Sequence, residues 1–290
     1  MVFMVLFSVC ACTEDIIIVR EEGEPMIGVE ATFTDELKCH EAILSYTTDL
    51  YSSEEIQMVT GATVYVTDGQ DTVYFHEAAA QPGHYFTDLV AGQRNRLYRF
   101  CADIPDEFEG LLHVFSDSYL GDNVDVIDSL VVKPFNGEND SLPNVVFGDT
   151  IEWVYPYFQS LPDQSVVYMP MIYKNDSLIT DTLSKRVMIP MGGYAGYYVN
   201  GPEMQEENVE IPVYYFMKKD LSKGDRIRVD LFNIPSEYLY FYYSIIMSNS
   251  SNPMLGAPSN VESNIRPTDR AVGWFLTASV VSAETVFDDK

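Results

Sequence analysis

Cysteine is the residue type whose placement here implies a specific reaction. Val9-Cys10-Ala11-Cys12 ends an uncharged apolar run that begins at Met1, and acidic Glu14 and Asp15 follow it. The run is far shorter than the roughly 20 apolar residues of a membrane-spanning helix, so it predicts the apolar core of an export signal. Its end looks like a bacterial lipobox, whose cysteine is lipidated and becomes the first residue of the mature chain. Small Ala11 assigns that chemistry to Cys12, with Cys10 as a second candidate. No Lys or Arg precedes the run, so the usual basic segment is missing. A buried N-terminal strand is the alternative, but Met1 to Phe7 lack the alternation or branching it would need. Acyl chains on Cys12 would enter a bilayer at about 0.8 kcal/mol per buried methylene, and stable anchoring takes more than one chain.

Beyond the signal and Cys12 only Cys39 and Cys101 remain. In an oxidising compartment they could form one disulfide, closing a loop worth about 4 kcal/mol in theory, or stay as two separate thiols. The histidines, His40, His76, His84 and His113, show neither His-Glu-x-x-His nor zinc-finger spacing. His76 and His84 could approach across a hairpin, but solvent-facing strand and turn positions suit them better, and no metal or other cofactor is assigned. Counted from Asp117, an EF-hand loop would find Tyr119, Gly121, Asp122 and Asp128 at positions three, five, six and twelve, and the pattern fails. A calcium site of another kind stands against a plain acidic surface loop. No nucleophile elbow or phosphate loop occurs, and Gly192-Gly193-Tyr194-Ala195-Gly196 reads as a turn. Tyr194, Tyr198 and Tyr214, with Tyr197 and Tyr215, gather near Gly-rich and loop segments. They could stack on a glycan or peptide, or simply pack sheets with their hydroxyls at the edge.

The elements that would position these residues are mostly strands. Gly61 to Thr67 alternates, meets Asp68-Gly69, and returns through Thr72 to His76, which predicts a hairpin. Extended runs at Met26 to Phe33, Glu41 to Tyr46, Pro82 to Phe86 and Arg96 to Ala102 are separated by turns every eight to twelve residues, the spacing of a sandwich. Its expected core is Val64, Val66, Val73, Phe75, Tyr85, Leu97 and Cys101. Further strands are expected at 150–158, 166–173, 187–189, 209–217, 225–232 and 271–280. The strand at 225–232 should turn Arg226, Arg228 and Asp230 to solvent. Ser236 can cap a helix at about 236–248 with Leu239, Tyr242, Tyr243 and Ile246 on one face. The organisation is therefore a signal at 1–11, a tether at 12–25, a β-sandwich at 26–104, and a second, mostly β domain at 105–290 carrying one packed helix.

Composition agrees. Hydrophobic residues make up 47% and aromatic residues 13%, with 20 Tyr and 16 Phe, which suits an aromatic-rich β protein rather than a disordered chain. The 44 acidic residues against 17 basic give a formal net charge of -27. Nucleic acid is excluded as a partner on that ground, because no basic stripe can neutralise phosphates.

The lipobox-like Val9-Cys10-Ala11-Cys12, Val59-Thr60-Gly61-Ala62-Thr63-Val64-Tyr65-Val66 with Gly83-His84-Tyr85, the 92–98 segment, the Tyr-rich 238–243, Ser263-Asn264-Ile265 and Val272-Gly273-Trp274-Phe275 together resemble the Bacteroidota lipoproteins grouped as domain-of-unknown-function family 4249. The resemblance covers about residues 12 to 285. Residues 26–104 also resemble transthyretin-like and carboxypeptidase-regulatory β-sandwich modules. The resemblance implies an outer-membrane lipoprotein, surface-exposed if Glu14 and Asp15 act as an export signal, that accompanies a TonB-dependent receptor in uptake. It carries over no catalytic residue. The expected function is thus that of a non-catalytic accessory or ligand-binding lipoprotein, anchored in the lipid bilayer through Cys12. A structural or adhesive surface protein and a hydrolase are the alternatives.

Overall fold

The computed structural model describes residues 25–48, 55–106, 110–122, 126–134, 151–159, 167–182, 185–190, 208–210, 212–249 and 261–288. Strand β1 (Ile27–Thr34) sets the pattern for the rest: Ile27, Val29, Ala31 and Phe33 are buried, while Gly28, Glu30 and Thr32 point the other way. Period-two alternation of this kind gives one sheet face to a core and leaves the opposite face for something else. Strand β2 (Glu41–Tyr46) pairs antiparallel with β1, β5 (Gln81–Thr87) with β2, and β4 (Thr72–Ala78) with β5. Strand β3 (Thr63–Thr67) pairs with β4 through the expected Asp68-Gly69 turn. There Gly69 takes φ +86°, and the amides of Asp71 and Gln70 hold the Asp68 carboxyl down at about 2.

Strand β6 (Arg96–Asp106) follows β3, and β7 (Gly110–Leu120) pairs with β6 along its whole length. The sheet rolls over so that β6 and β7 face β1 and the last strand, β16 (Ala271–Val286). Phe100 packs on Phe275 with centroids 5.4 Å apart, and the Ser118 and Thr277 hydroxyls lie 2.9 Å apart in the interior. The sandwich therefore extends past residue 104, where the sequence suggested a boundary. That position falls inside β6, and the first core also takes Leu112, Val114, Leu120, Ile265, Ala271 and Phe275.

Val64, Val66, Phe75, Tyr85 and Cys101 are buried as expected, Val73 is half-buried, and Leu97 is 56% exposed. Tyr98, Phe100, Ala102 and Ile104 are the inward residues of β6, so Leu97 and Cys101 belong to its other face. Cys101 is covered there by Tyr65, whose hydroxyl bonds to it and is pushed up to about 12. Cys39 is exposed in the connection between β1 and β2. The two thiols are free: one sits in a turn and the other in the middle of a sheet, so the disulfide considered from sequence is not formed.

The second part is built on the continuation of the same sheet. The first half of β16 pairs parallel with β1, and its second half pairs antiparallel with β15 (Arg226–Ile234). Next come β10 (Val167–Lys174) and the short β11 (Ser177–Leu178) and β12 (Ile189–Pro190). A separate sheet of β8 (Ser129–Pro134), β9 (Ile151–Gln159), β13 (Asn208–Glu210) and β14 (Tyr214–Met217) covers one face of this extension. Val154, Phe158 and Phe216 meet Tyr168, Ile172, Val229 and Leu231 there. The expected single strand at 209–217 is two, β13 and β14, each pairing with a different part of β9. Helix α1 (Ser236–Asn249) lies on the opposite face, with Tyr238 and Leu239 buried against Val167, Met169, Phe232 and Trp274.

The Arg226, Arg228, Asp230 face does not simply meet solvent. Asp230 is buried, accepts a bond from Ser282 Oγ at 2.7 Å, and has its carboxyl pKa raised, chiefly by desolvation. The Arg228 guanidinium sits 4.1 Å from the Tyr173 ring centroid.

Candidate functional site, a helix-roofed cavity

A cavity of about 450 Å³ lies where α1 spans the outward face of the long sheet. Register builds its floor. The parallel pairing sets Gly28 opposite Val272, Glu30 opposite Trp274 and Thr32 opposite Leu276, and β2 adds Ser45 beside Gly28 and Ile43 beside Glu30. Met169 and Met171 of β10 and Phe232 of β15 extend the floor, Tyr238, Phe241 and Ile245 of α1 form the roof, and Lys38, Arg186 and Val261 stand around the remaining sides.

Two local features hold this floor in place. Gly273 has φ +124°, and a Cβ there would come within 2.0 Å of the Val29 carbonyl oxygen, so the β1 and β16 backbones pass closer than any side chain allows. Ser263-Asn264 also grips β16. Ser263 Oγ accepts from the Gly273 amide at 3.2 Å and donates to its carbonyl at 3.0 Å. The Asn264 side chain does the same for Phe275, at 3.0 and 2.9 Å. These side chains satisfy main-chain groups that would otherwise be buried without partners.

The helix is tied down from its own side. Tyr238, Phe241 and Trp274 pack mutually, with centroids 5.0 to 5.6 Å apart. The Tyr242 hydroxyl donates to the Arg186 carbonyl at 2.8 Å, and the Glu262 amide donates to Ser244 Oγ at 3.0 Å.

Polar groups in this apolar setting are few. Burial raises the Tyr238 hydroxyl pKa; Arg186, which is also hydrogen-bonded to it, opposes that rise, and the Glu30 charge adds to it. Arg186 Nε donates to the Thr180 carbonyl at 3.4 Å. Lys38 Nζ lies 2.5 Å from Glu36 and 5.8 Å from the Phe232 ring centroid. Trp274 is 7% exposed, and among the described residues its indole Nε1 has no hydrogen-bond partner. Among the described residues, neither Glu30 nor Arg186 forms an ion pair. Such a site can hold an apolar body by burial and orient it by a few polar contacts.

Of the residues singled out from sequence, Cys12, Tyr194, Tyr197 and Tyr198 lie outside the described residues. Tyr214 is in β14, half-buried against the second core, its ring 6.0 Å from Tyr215 and 5.0 Å from Phe216. It does not line the cavity. His76 is opposite Phe86 in the β4–β5 register, while His84 pairs with Glu41 at 2.7 Å. Asp117 is held by Arg99 and Asp122 by Arg94. Among the described residues, no group of three or more His, Cys, Asp or Glu is placed to hold a metal ion.

The cavity residues were harder to see. Glu30 is the one charge inside an apolar strand, and Trp274 sits opposite it 244 residues later, a pairing that only the parallel register reveals.

Fold and cavity together define a mainly β protein, sandwich-like at its N-terminal end, with a ligand-sized cleft under its single described α-helix. Within that class, residues 13–112 match the family described as domain of unknown function (DUF4249), which supports the family resemblance over the N-terminal third. The matched region supplies β1 and β2 of the floor, whereas the roof and Trp274 lie beyond it. No curated protein matches the chain.

Proposed function

We propose that the protein is a non-catalytic ligand-capturing lipoprotein, anchored in the outer membrane through lipid on Cys12 and serving a TonB-dependent uptake receptor. The observation that carries the capture role is the cavity of about 450 Å³, a size typical of small-molecule sites, with apolar walls and few polar groups. The anchor rests on the apolar run ending at Cys12 and the acidic residues behind it. The link to a receptor rests on the family resemblance.

The capture role is tested by titrating the purified full-length protein with N-phenyl-1-naphthylamine, a neutral dye that brightens in apolar sites. Saturable brightening is expected, and Val272→Trp, which fills the floor, should remove it. An unchanged signal in that variant would refute the assignment of the cavity. For the anchor, Cys12→Ala should abolish incorporation of a labelled fatty acid, and continued labelling would show the anchor to be elsewhere. Pulldown of the intact lipoprotein from its own outer membrane in mild detergent should recover a receptor. Recovery of none counts against the accessory role.

A further inference from the structure

We infer that the cavity is built for a zwitterion with an apolar body, an apolar amino acid or a short apolar peptide with both termini free. This rests on the capture reading above and specifies its ligand. Exposed Glu30 and half-buried Arg186, charges of opposite sign, line one largely apolar cavity beside Lys38, which Glu36 pairs, and among the described residues neither of the two is in an ion pair. Glu30 is held on the rigid β1–β16 ladder directly opposite Trp274. Trp274 adds an independent sign of an absent partner: an indole N–H more than nine-tenths buried with no acceptor. Buried donors of this kind are paired in native proteins, and among the described residues none accepts from this one, which leaves it for an oxygen of a ligand.

A ligand ammonium satisfies Glu30, and a carboxylate satisfies Arg186, whose planar fork suits two oxygens. A peptide or carboxylate oxygen gives Trp274 its acceptor. The apolar side chain then lies against Phe241 and Met171, where a flexible thioether can adapt to its shape. A purely apolar ligand would leave the indole N–H without an acceptor and would give Glu30 and Arg186 no ionic partner. A simple cation or anion would satisfy only one end.

The test uses the full-length protein carrying Trp153→Phe, which leaves Trp274 as the sole tryptophan and its emission as the readout. Leu-Phe dipeptide, its N-acetyl form, its C-terminal amide and free leucine are titrated in parallel. The free dipeptide should bind, and each cap should weaken binding by roughly tenfold or more, the loss expected for one charge-assisted contact. Glu30→Gln should remove the penalty of acetylation and leave that of amidation, and Arg186→Gln should do the reverse. The relative affinity of leucine and dipeptide then identifies which source of the same two end groups fits better. Because the capped ligands are compared on unsubstituted Glu30 and Arg186, the result does not depend on either variant folding. Equal binding of free and capped dipeptides overturns the inference. Binding of the neutral dye without any peptide overturns it too while leaving the capture reading intact, and binding of neither overturns both.

Discussion

His40 ties the protein's stability to pH. It is 1% exposed, its ring centroid is 4.6 Å from Phe33, and its Nε2 lies 3.0 Å from the Val90 carbonyl oxygen. The Thr34 amide donates to its Nδ1 at 3.4 Å, so the ring is wired as the neutral tautomer with the proton on Nε2. Desolvation is the largest cause that lowers its pKa to about 4 from 6.5; the Val90 carbonyl opposes it, and the Lys38 charge adds to the lowering. Because the folded value lies below the unfolded one, the unfolded chain binds more protons between them. Stability from this group is complete above about pH 6.5 and is lost as pH falls towards 4. At 1.36 kcal/mol per unit, the loss reaches about 3 kcal/mol by pH 4. The assay is urea unfolding of wild type and His40→Gln at several pH values from 7 down to 4. The many carboxylates titrate alike in both proteins, so their difference isolates His40. The stability advantage of wild type should shrink by about 3 kcal/mol across that range. An advantage constant to within about 0.5 kcal/mol would refute the reasoning, since a stability difference that ignores pH cannot come from a group that titrates. The same protonation should loosen the segment from Asp35 to His40, which carries Lys38 to the edge of the cavity.

Three substitutions test the packing. Gly273→Ala should cost roughly 3 kcal/mol or more, because its Cβ meets the Val29 carbonyl at 2.0 Å and φ is +124°; a melting temperature within a degree of wild type would contradict the close approach of β1 and β16. Phe100→Ala, in the first core and fully buried, should cost roughly 3 to 5 kcal/mol. Leu97→Ala, three residues earlier on the exposed face, should stay within about 0.5 kcal/mol. Denaturant midpoints compare the pair, and a larger effect at Leu97 would invert the assigned register of β6.

How far the fold could be read follows from which signals are local. The β3–β4 hairpin was legible because alternation and an Asp-Gly turn sit within a dozen residues. The helix was legible because apolar residues recur at helical spacing after Ser236, and the mainly β class because turns recur so regularly. Strand β7 was not legible: its inward positions include Ser116 and Ser118, which break the hydrophobic alternation. Ser118 is inside because Thr277 supplies a partner 159 residues away. Leu97 is not in the core because Arg96 to Ala102 carries bulky residues on both faces of β6, and pattern alone does not set which face turns inward. Asp230 looked solvent-facing because its alternation with Val229 and Leu231 is regular. What buries it lies elsewhere in the sequence. The cavity is the extreme case: Glu30, Arg186, Tyr238 and Trp274 share no local pattern, and only the sheet order brings them together.

Strand β16 also sets the order of events in the life of the chain. It closes the first core by pairing with β1, and the Val280 amide bonds to Asp35 across a separation of 245 residues. Contacts this distant form slowly, because the loop must close before they contribute. A chain made N-terminus first therefore cannot finish its N-terminal sandwich until residues 265–278 have also been made. This also means that the region matched to the family, residues 13–112, is not a unit that should fold when expressed alone.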